Sequence, residues 1–446
     1  MRNPPELYLQ ALQEHFTKAP QWFSPTAEPT KTPENILSAS ATTNQNGKNT
    51  AFQRWFHFKE AFSPAFVSAA IDSLGFRPRH IIDPFGGSGT SALTAQLLSI
   101  DATTVEVNPF LCDVIKAKTS HLKADHVRSA ELDFKAMLLE TPCNLSRLSH
   151  WPHTFIESDD KHRWIFPIDV ARRLSQYLTC IEAIENEDLQ RLFRVILGGV
   201  VVDSSNVYVN GKGRRYRSNW KTNQPTAESL DELFNKQFSQ TFEDILRFEQ
   251  RPKTKTNVVN GDSREALAGI DKSADLIVFS PPYPNSFDYT DIYNVELWVL
   301  GYLGNANDNR KLRNETLRSH VQIRREYDLP NAHSPNLDHT LEKLEAQKDI
   351  LWNSDIPSMV GSYFRDLENI LIDCLRLLTS NGKVIMVVGD SRYSDVRIDV
   401  AKIISELASN IGFNKVTIKE VRQMRSSAQQ GGSLQLSESI IELRLL

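Results

Sequence analysis

Short runs of β-branched and apolar residues recur along this chain, each ending abruptly in a small or polar loop, with segments of helical apolar spacing between them. That alternation calls for a parallel sheet, because strands that return in the same direction need crossovers of a dozen residues or more, usually helical. The first unit reads as a strand at 80–82, the loop Asp83-Pro84-Phe85-Gly86-Gly87-Ser88-Gly89-Thr90, a helix over 88–98, a strand at 102–105 and a helix after Pro109. The alternation returns with strands at 256–259 and 275–279 and a helix over 358–378. After a turn at Ser380-Asn381-Gly382 come a strand at 383–388, a helix over 396–411 and a closing pair of strands.

Two stretches interrupt the pattern and set the expected organisation. Residues 1–50 read as a helix (7–16) followed by an extended arm (25–50), and 51–123 as the first half of the sheet domain. Residues 124–251 form a mostly helical insertion with a glycine-bearing turn from Val209 to Gly213. Residues 252–304 complete the second strand-loop unit, 305–353 form a polar, basic insertion, and 354–446 close the sheet.

Composition excludes several classes. With 446 residues, 40% hydrophobic and 24% charged, the chain has enough apolar material for a large core. The cysteines Cys112, Cys143, Cys180 and Cys374 are scattered without the short paired spacings of a zinc site, so no structural metal is expected, and a reducing cytoplasm is. No apolar stretch approaches the roughly 20 residues a membrane span needs. The net charge of −4 argues against coating nucleic acid by bulk charge. Local basic patches exist nonetheless: Lys212, Arg214, Arg215 and Arg217 around Tyr216 and Trp220, and Arg310, Lys311, Arg313, Arg318, Arg324 and Arg325 farther on.

Glycines between a strand and a helix let backbone approach a ligand closely, and the helix N-terminus beyond them favours an anionic or polar group. The loop at 83–90 is therefore expected to hold a nucleotide-like molecule. Asp83 is placed to accept from an ammonium and Phe85 to pack against a ligand, while Glu106, ending the next strand, is placed for both ribose hydroxyls. Asn260-Gly261-Asp262-Ser263 presents acceptors suited to an adenine amino group. Gly87-Ser88-Gly89-Thr90-Ser91-Ala92 also satisfies the dinucleotide fingerprint, so an NAD-dependent dehydrogenase is a formal competitor. A triphosphate loop is excluded, because no lysine follows the glycines.

The segment from Asp83 to Thr90 resembles the S-adenosylmethionine-binding motif of the amino-methyltransferases that act on DNA. Ser280-Pro281-Pro282-Tyr283, directly after the strand at 275–279, resembles their catalytic tetrapeptide. The likeness extends more loosely to 56–64, Glu106, Asp262 and the final strands, and leaves the two insertions outside. It implies a doubly wound, Rossmann-like α/β methyltransferase sheet, S-adenosylmethionine as cofactor, double-stranded DNA as substrate and a cognate restriction endonuclease as partner. A serine opening the tetrapeptide is commoner in enzymes that methylate cytosine N4, whereas Asp or Asn marks adenine N6 enzymes. Here the cofactor motif precedes the catalytic one, while many Ser-Pro-Pro cytosine enzymes show the reverse order.

In the chemistry this resemblance implies, the Ser280 hydroxyl and Pro281 carbonyl accept from the amine, Pro282 helps to hold that carbonyl rigid, and Tyr283 stacks on a base rotated out of the duplex. Phe287 and Tyr289 extend the aromatic wall, with Asn285 or Asp288 at the base edge. Cysteine-based chemistry at cytosine C5 is not expected, because Cys143 follows no core strand. The basic residues Lys212, Arg214, Arg215, Arg217, Arg310, Lys311, Arg313, Arg324 and Arg325 are candidates for nucleic-acid contact, as is the loop Gln429-Gln430-Gly431-Gly432. Adenine N6 methylation is the nearest rival function. RNA guanine-N2 methylation and a non-catalytic nucleic-acid-binding module are more distant ones.

Overall fold

The computed structural model describes residues 42–43, 47–58, 61–210, 213–425 and 435–445. The expected helix 7–16, most of the arm 25–50, Lys212 and the loop Gln429-Gln430-Gly431-Gly432 lie outside the described residues.

Among the described residues eleven strands follow in chain order: β1 (His80–Asp83), β2 (Asp101–Glu106), β3 (Val207–Asn210), β4 (Gly213–Tyr216), β5 (Thr256–Asn260), β6 (Ala274–Phe279), β7 (Leu378–Gly389), β8 (Ser391–Tyr393), β9 (Val396–Ile398), β10 (Lys415–Arg425) and β11 (Gln435–Arg444). Seven of them form one sheet in the order β10-β11-β7-β6-β1-β2-β5. The five strands from β5 to β7 are parallel, and β11 runs antiparallel to both β7 and β10. The expected doubly wound α/β sheet is thus present, closed at one edge by the pair of tail strands.

Side-chain alternation explains why both faces are covered. Along β1, β6 and β7, Ile81, Leu276, Val278, Ile385 and Val387 enter one apolar cluster, while Ile82, Ile277, Phe279, Val384, Met386 and Val388 enter the other. A strand with period-2 burial on both sides needs a helical layer on each. On the first side that layer includes helix Pro109–Thr119 and the insertion helices Ala124–Glu140, Ile168–Glu182, Glu187–Val201 and Ala227–Arg247, whose Phe134, Phe193, Phe234 and Phe238 belong to the same cluster as the strands. On the second side lie Ile356–Leu377 and Val400–Ile411. No helix among the described residues is long and apolar enough to cross a membrane.

Two local expectations change. The turn at 380–382 is absorbed into β7: Ala274 pairs with Leu378 and Leu276 with Lys383, so the extra residues bulge without ending the strand. The helix foreseen over 396–411 starts only at Val400, where the Asp399 carboxylate accepts from the Lys402 amide. Val396 and Ile398 alternate inward instead as β9, paired with β8.

The chain passes from β1 outward to β2 and β5, then crosses back to place β6 on the other flank of β1. The strand order reverses there, so the loops after β1 and β6 diverge and leave a crevice at their carboxyl ends. Both sequence motifs sit on those loops.

Candidate active site

At that crevice lies a cavity of about 290 Å³. Its walls include Asp83, Pro84, Phe85, Gly86, Gly87, Ser88 and Thr90 from the first loop, and Ser280, Pro281, Pro282 and Tyr283 from the second. Glu106, Asp262 and Ser263 complete the strand-end residues that the sequence singled out. The two motifs, about 190 residues apart in the chain, therefore face one space.

The first loop is held by its own backbone. Gly86 donates to the Val105 carbonyl at 2.8 Å and accepts from Gly89 at 2.8 Å. Gly89, at φ +84°, caps helix Thr90–Leu97 in the left-handed region, which an L side chain resists. Behind the loop, the fully buried Lys118 donates to the Ser88 carbonyl at 2.8 Å.

Asp83 and Glu106 serve the loop as well as the cavity. Asp83 accepts from the Phe85 amide at 2.9 Å and from the Ser91 hydroxyl, and burial raises its carboxyl to about 6. Glu106 accepts from the Gly87 amide at 2.7 Å and the Asn108 amide at 2.8 Å, and burial raises it to about 7 despite those bonds. Each carboxylate oxygen accepts one bond here and has a second lone pair for a ligand hydroxyl. Asp262 is occupied differently: it caps the following short helix and holds Arg264 through both oxygens at 2.9–3.0 Å. Ser263 donates to the Pro84 carbonyl and so braces the first loop from below.

The hydroxyls of Ser88 and Thr90 are buried and have no partner among the described residues. Such atoms are rare unless a ligand or water satisfies them, since an unmade bond on a buried polar group costs about 1–3 kcal/mol. Together with the Glu106 carboxylate, the Phe58 and Phe85 rings and the cavity's size, they fit a polar adenosyl ligand with an apolar flank.

On the opposite wall Tyr283 lies beside Ser280, and its phenol donates to Glu438 at 3.3 Å. Burial and the neighbouring carboxylate raise the phenol's pKa, so it stays a neutral donor. The following residues fold into a short brace. Asn285 donates its amide to the Tyr283 carbonyl and accepts from Phe287, and Tyr393 donates to the Pro284 carbonyl at 3.0 Å.

Of the expected base-pocket residues, Tyr283 and Tyr289 line the cavity, whereas Asn285, Phe287 and Asp288 do not. Asp288 instead caps the helix Tyr289–Ile292 and accepts from Arg313 at 2.8 Å, which leaves its carboxylate facing a guanidinium. Phe287 packs edge-on against Tyr289 with ring centroids 5.0 Å apart.

The basic candidates divide by exposure. Arg325 is turned inward, donating to the carbonyls of Thr316, Leu317 and Arg313, and burial lowers it to about 10. Arg313 holds Asp288, and Arg217 holds the Ser205 and Val202 carbonyls. Arg214 lies 5.9 Å from the centre of the Phe155 ring. Arg215, Arg310, Lys311 and Arg324 are exposed. Cys143 is exposed too and stands outside the cavity wall.

Several further residues, none singled out individually in the sequence, also line the cavity. Phe58 and Tyr293 stack with centroids 5.3 Å apart at one rim. Thr316, Leu317, Ser319 and His320 of the basic insertion form a side wall, and burial lowers the His320 imidazole to about 4. Thr42, Arg422 and Glu438 come from the arm and the two tail strands.

No family model matches the chain. Sequence comparison relates it to the type II methyltransferase M.AvaI of Nostoc, 25% identical over 425 residues that cover 89% of this chain and 86% of the relative. The type II methyltransferase M.BsoBI of Geobacillus stearothermophilus is 26% identical over 450 residues, with the same two coverages. M.MvaI of Kocuria varians is 26% identical over 221 residues, 47% of each chain. Among solved structures, an rRNA methyltransferase of Streptomyces viridochromogenes aligns at 8% identity with a TM-score of 0.29, a likeness too slight to bear on the fold, for which the strand order is the ground.

Proposed function

We propose that this chain, an S-adenosylmethionine-dependent methyltransferase related in sequence to type II methyltransferases, methylates the exocyclic N4 of a cytosine turned out of duplex DNA. The observation that supports this most is the shared cavity, in which Ser280-Pro281-Pro282-Tyr283 faces the glycine loop. Bound there, S-adenosylmethionine supplies an electrophilic methyl group on a sulfonium.

The residues supply position. An exocyclic amine is a weak nucleophile because its lone pair is delocalised into the ring, so orientation contributes much of the rate. The Ser280 hydroxyl and Pro281 carbonyl accept hydrogen bonds from the two amine N–H groups and favour a pyramidal nitrogen. Neither proline ring offers an N–H to compete. Tyr283 stacks on the extruded base and offsets part of the few kcal/mol spent on unpairing it. Glu106 takes the ribose hydroxyls, and the hydroxyls of Ser88 and Thr90 find partners on the cofactor. A methylated amine that still holds both protons is strongly acidic, so the Ser280 oxygen suffices as the first acceptor of the one that leaves.

Phosphate contacts fall to the exposed Arg310, Lys311 and Arg324, with Arg215 of β4 as a second site. The setting is a restriction–modification system in the cytoplasm, with an endonuclease that shares the target sequence. Digestion of modified DNA to nucleosides tests the assignment: N4-methyldeoxycytidine is expected, and N6-methyldeoxyadenosine in its place refutes it.

A further inference from the structure

The amine-holding side of the cavity contains a charged group that the chemistry above does not use. Arg422 of β10 stands directly opposite Glu438 of β11 and donates to it at 2.9 Å. The ladder is irregular between Glu420 and Arg422, and bulges of this kind re-aim side chains beside sites. Both residues line the cavity together with Ser280 and Tyr283. Glu438 is nearly saturated: it accepts from Arg422, from the Tyr283 phenol at 3.3 Å and from the Thr42 hydroxyl at 2.6 Å. Arg422 is not saturated, because its Nε–H is buried without a partner among the described residues.

We infer that Arg422 reads the target base, donating to the O2 carbonyl of cytosine, and that Glu438 is a positioning residue that holds both Arg422 and the Tyr283 ring. This rests on the cytosine assignment above and deepens it. A guanidinium has donors only, so it seeks an acceptor on whatever enters the pocket. Cytosine offers a carbonyl oxygen next to the ring nitrogen that flanks its amine. Adenine offers a C–H at the corresponding carbon, which leaves the buried donor unpaired. One side chain thereby favours the pyrimidine and penalises the purine. The tetrapeptide meets the amine, a group both bases share, so the carbonyl is read by a separate side chain. Glu438 fixes the guanidinium through one nitrogen, and Thr42 and Tyr283 fix Glu438, so the reader is held before the base arrives.

The test uses the full chain with duplex oligonucleotides carrying its target site. In one set the target base is cytosine; in the other it is a 2-aminopyridine C-nucleoside, which keeps the amine and ring nitrogen but lacks O2. Single-turnover methyl transfer is measured for wild type, Arg422→Ala and Arg422→Lys, and cofactor affinity is measured separately by titration. Loss of a hydrogen bond to a charged donor corresponds to roughly 10- to 100-fold in rate. The wild type is expected to lose that factor on the analogue. Arg422→Ala is expected to lose it on cytosine, to lose little more on the analogue, and to bind cofactor as wild type does. Arg422→Lys is expected to recover part of the cytosine rate.

Losses that simply multiply between variant and analogue overturn the inference while leaving the cytosine assignment standing. So does an Arg422→Ala defect confined to cofactor affinity, which would place the guanidinium on the methionine carboxylate. Failure of the cytosine assignment shows separately, as N6-methyldeoxyadenosine among the wild-type products. A thermal melt of each variant, superimposable on wild type, keeps misfolding from imitating either result.

Discussion

Gly86→Ala should disable the cofactor loop without touching the chemistry. A Cβ at this position would overlap the Thr104 hydroxyl and come within 3.1 Å of Ile115 Cδ1. The backbone cannot easily step aside, since the Gly86 amide is bonded to the Val105 carbonyl of β2 and its carbonyl to the Gly89 amide, both at 2.8 Å. Overpacking of this kind costs about 1–3 kcal/mol. Part of that cost appears as lost stability. The remainder appears on binding, because the unliganded loop can shift to relieve the clash and must be restored around the cofactor. The upper bound on cofactor affinity is then a loss of roughly 5- to 150-fold. Isothermal titration with S-adenosylhomocysteine and a thermal melt read the two parts. The Thr104 hydroxyl has no partner among the described residues, so Thr104→Ala removes the obstacle at little expense. The double variant Gly86→Ala/Thr104→Ala should therefore recover most of both losses. A Gly86→Ala protein that binds as wild type does, or a double variant no better than the single, would refute the reasoning.

Tyr283→Ala should reduce methyl transfer by roughly 5- to 150-fold, as expected for about 1–3 kcal/mol of base stacking, with cofactor affinity nearly unchanged by titration. The pH dependence of cofactor affinity should follow Glu106, which burial raises to about 7: binding that uses its carboxylate weakens as pH falls through that value. The fold responds with the opposite sign. A buried acid with a raised pKa binds more protons folded than unfolded, so its contribution is full below the unfolded value and is lost as pH rises toward about 7. Titration and denaturation series between pH 5 and 8 are expected to show both slopes, and Glu106→Gln to flatten each. Arg313→Ala should strip the buried Asp288 of its partner and lower stability by about 3–5 kcal/mol, measured by denaturant unfolding. Arg310→Ala, Lys311→Ala and Arg324→Ala should instead leave the melt unchanged and each reduce the salt slope of DNA binding by about 1.

The sheet and the meeting of its two loops were legible because they rest on local signals. A β-branched run that stops at Asp83 or Ser280 declares a strand end, and parallel topology brings strand ends to one edge. The hydroxyl, carboxylate and ring types in those loops already stated the chemistry. What the sequence could not show depends on partners far apart in the chain. Asp262 and Asp288 look like free acceptors until Arg264 and Arg313 are seen to face them, and Arg325 looks like a surface cation until its carbonyl partners appear. Local spacing also misassigned Val396 and Ile398, where pairing with β8 outweighs helical continuation. Arg422 and Glu438 were invisible for the same reason as Thr42. Their place beside Tyr283 is set by the tail strands closing the sheet, and no motif marks it.

Co-crystallisation with S-adenosylhomocysteine tests the central claim most directly. Density is expected in the crevice between β1 and β6, contacting Glu106, Ser88 and Thr90 and ending so that it faces Ser280. A cofactor bound elsewhere, or bound with Ser280 and Tyr283 turned away from it, would contradict the account.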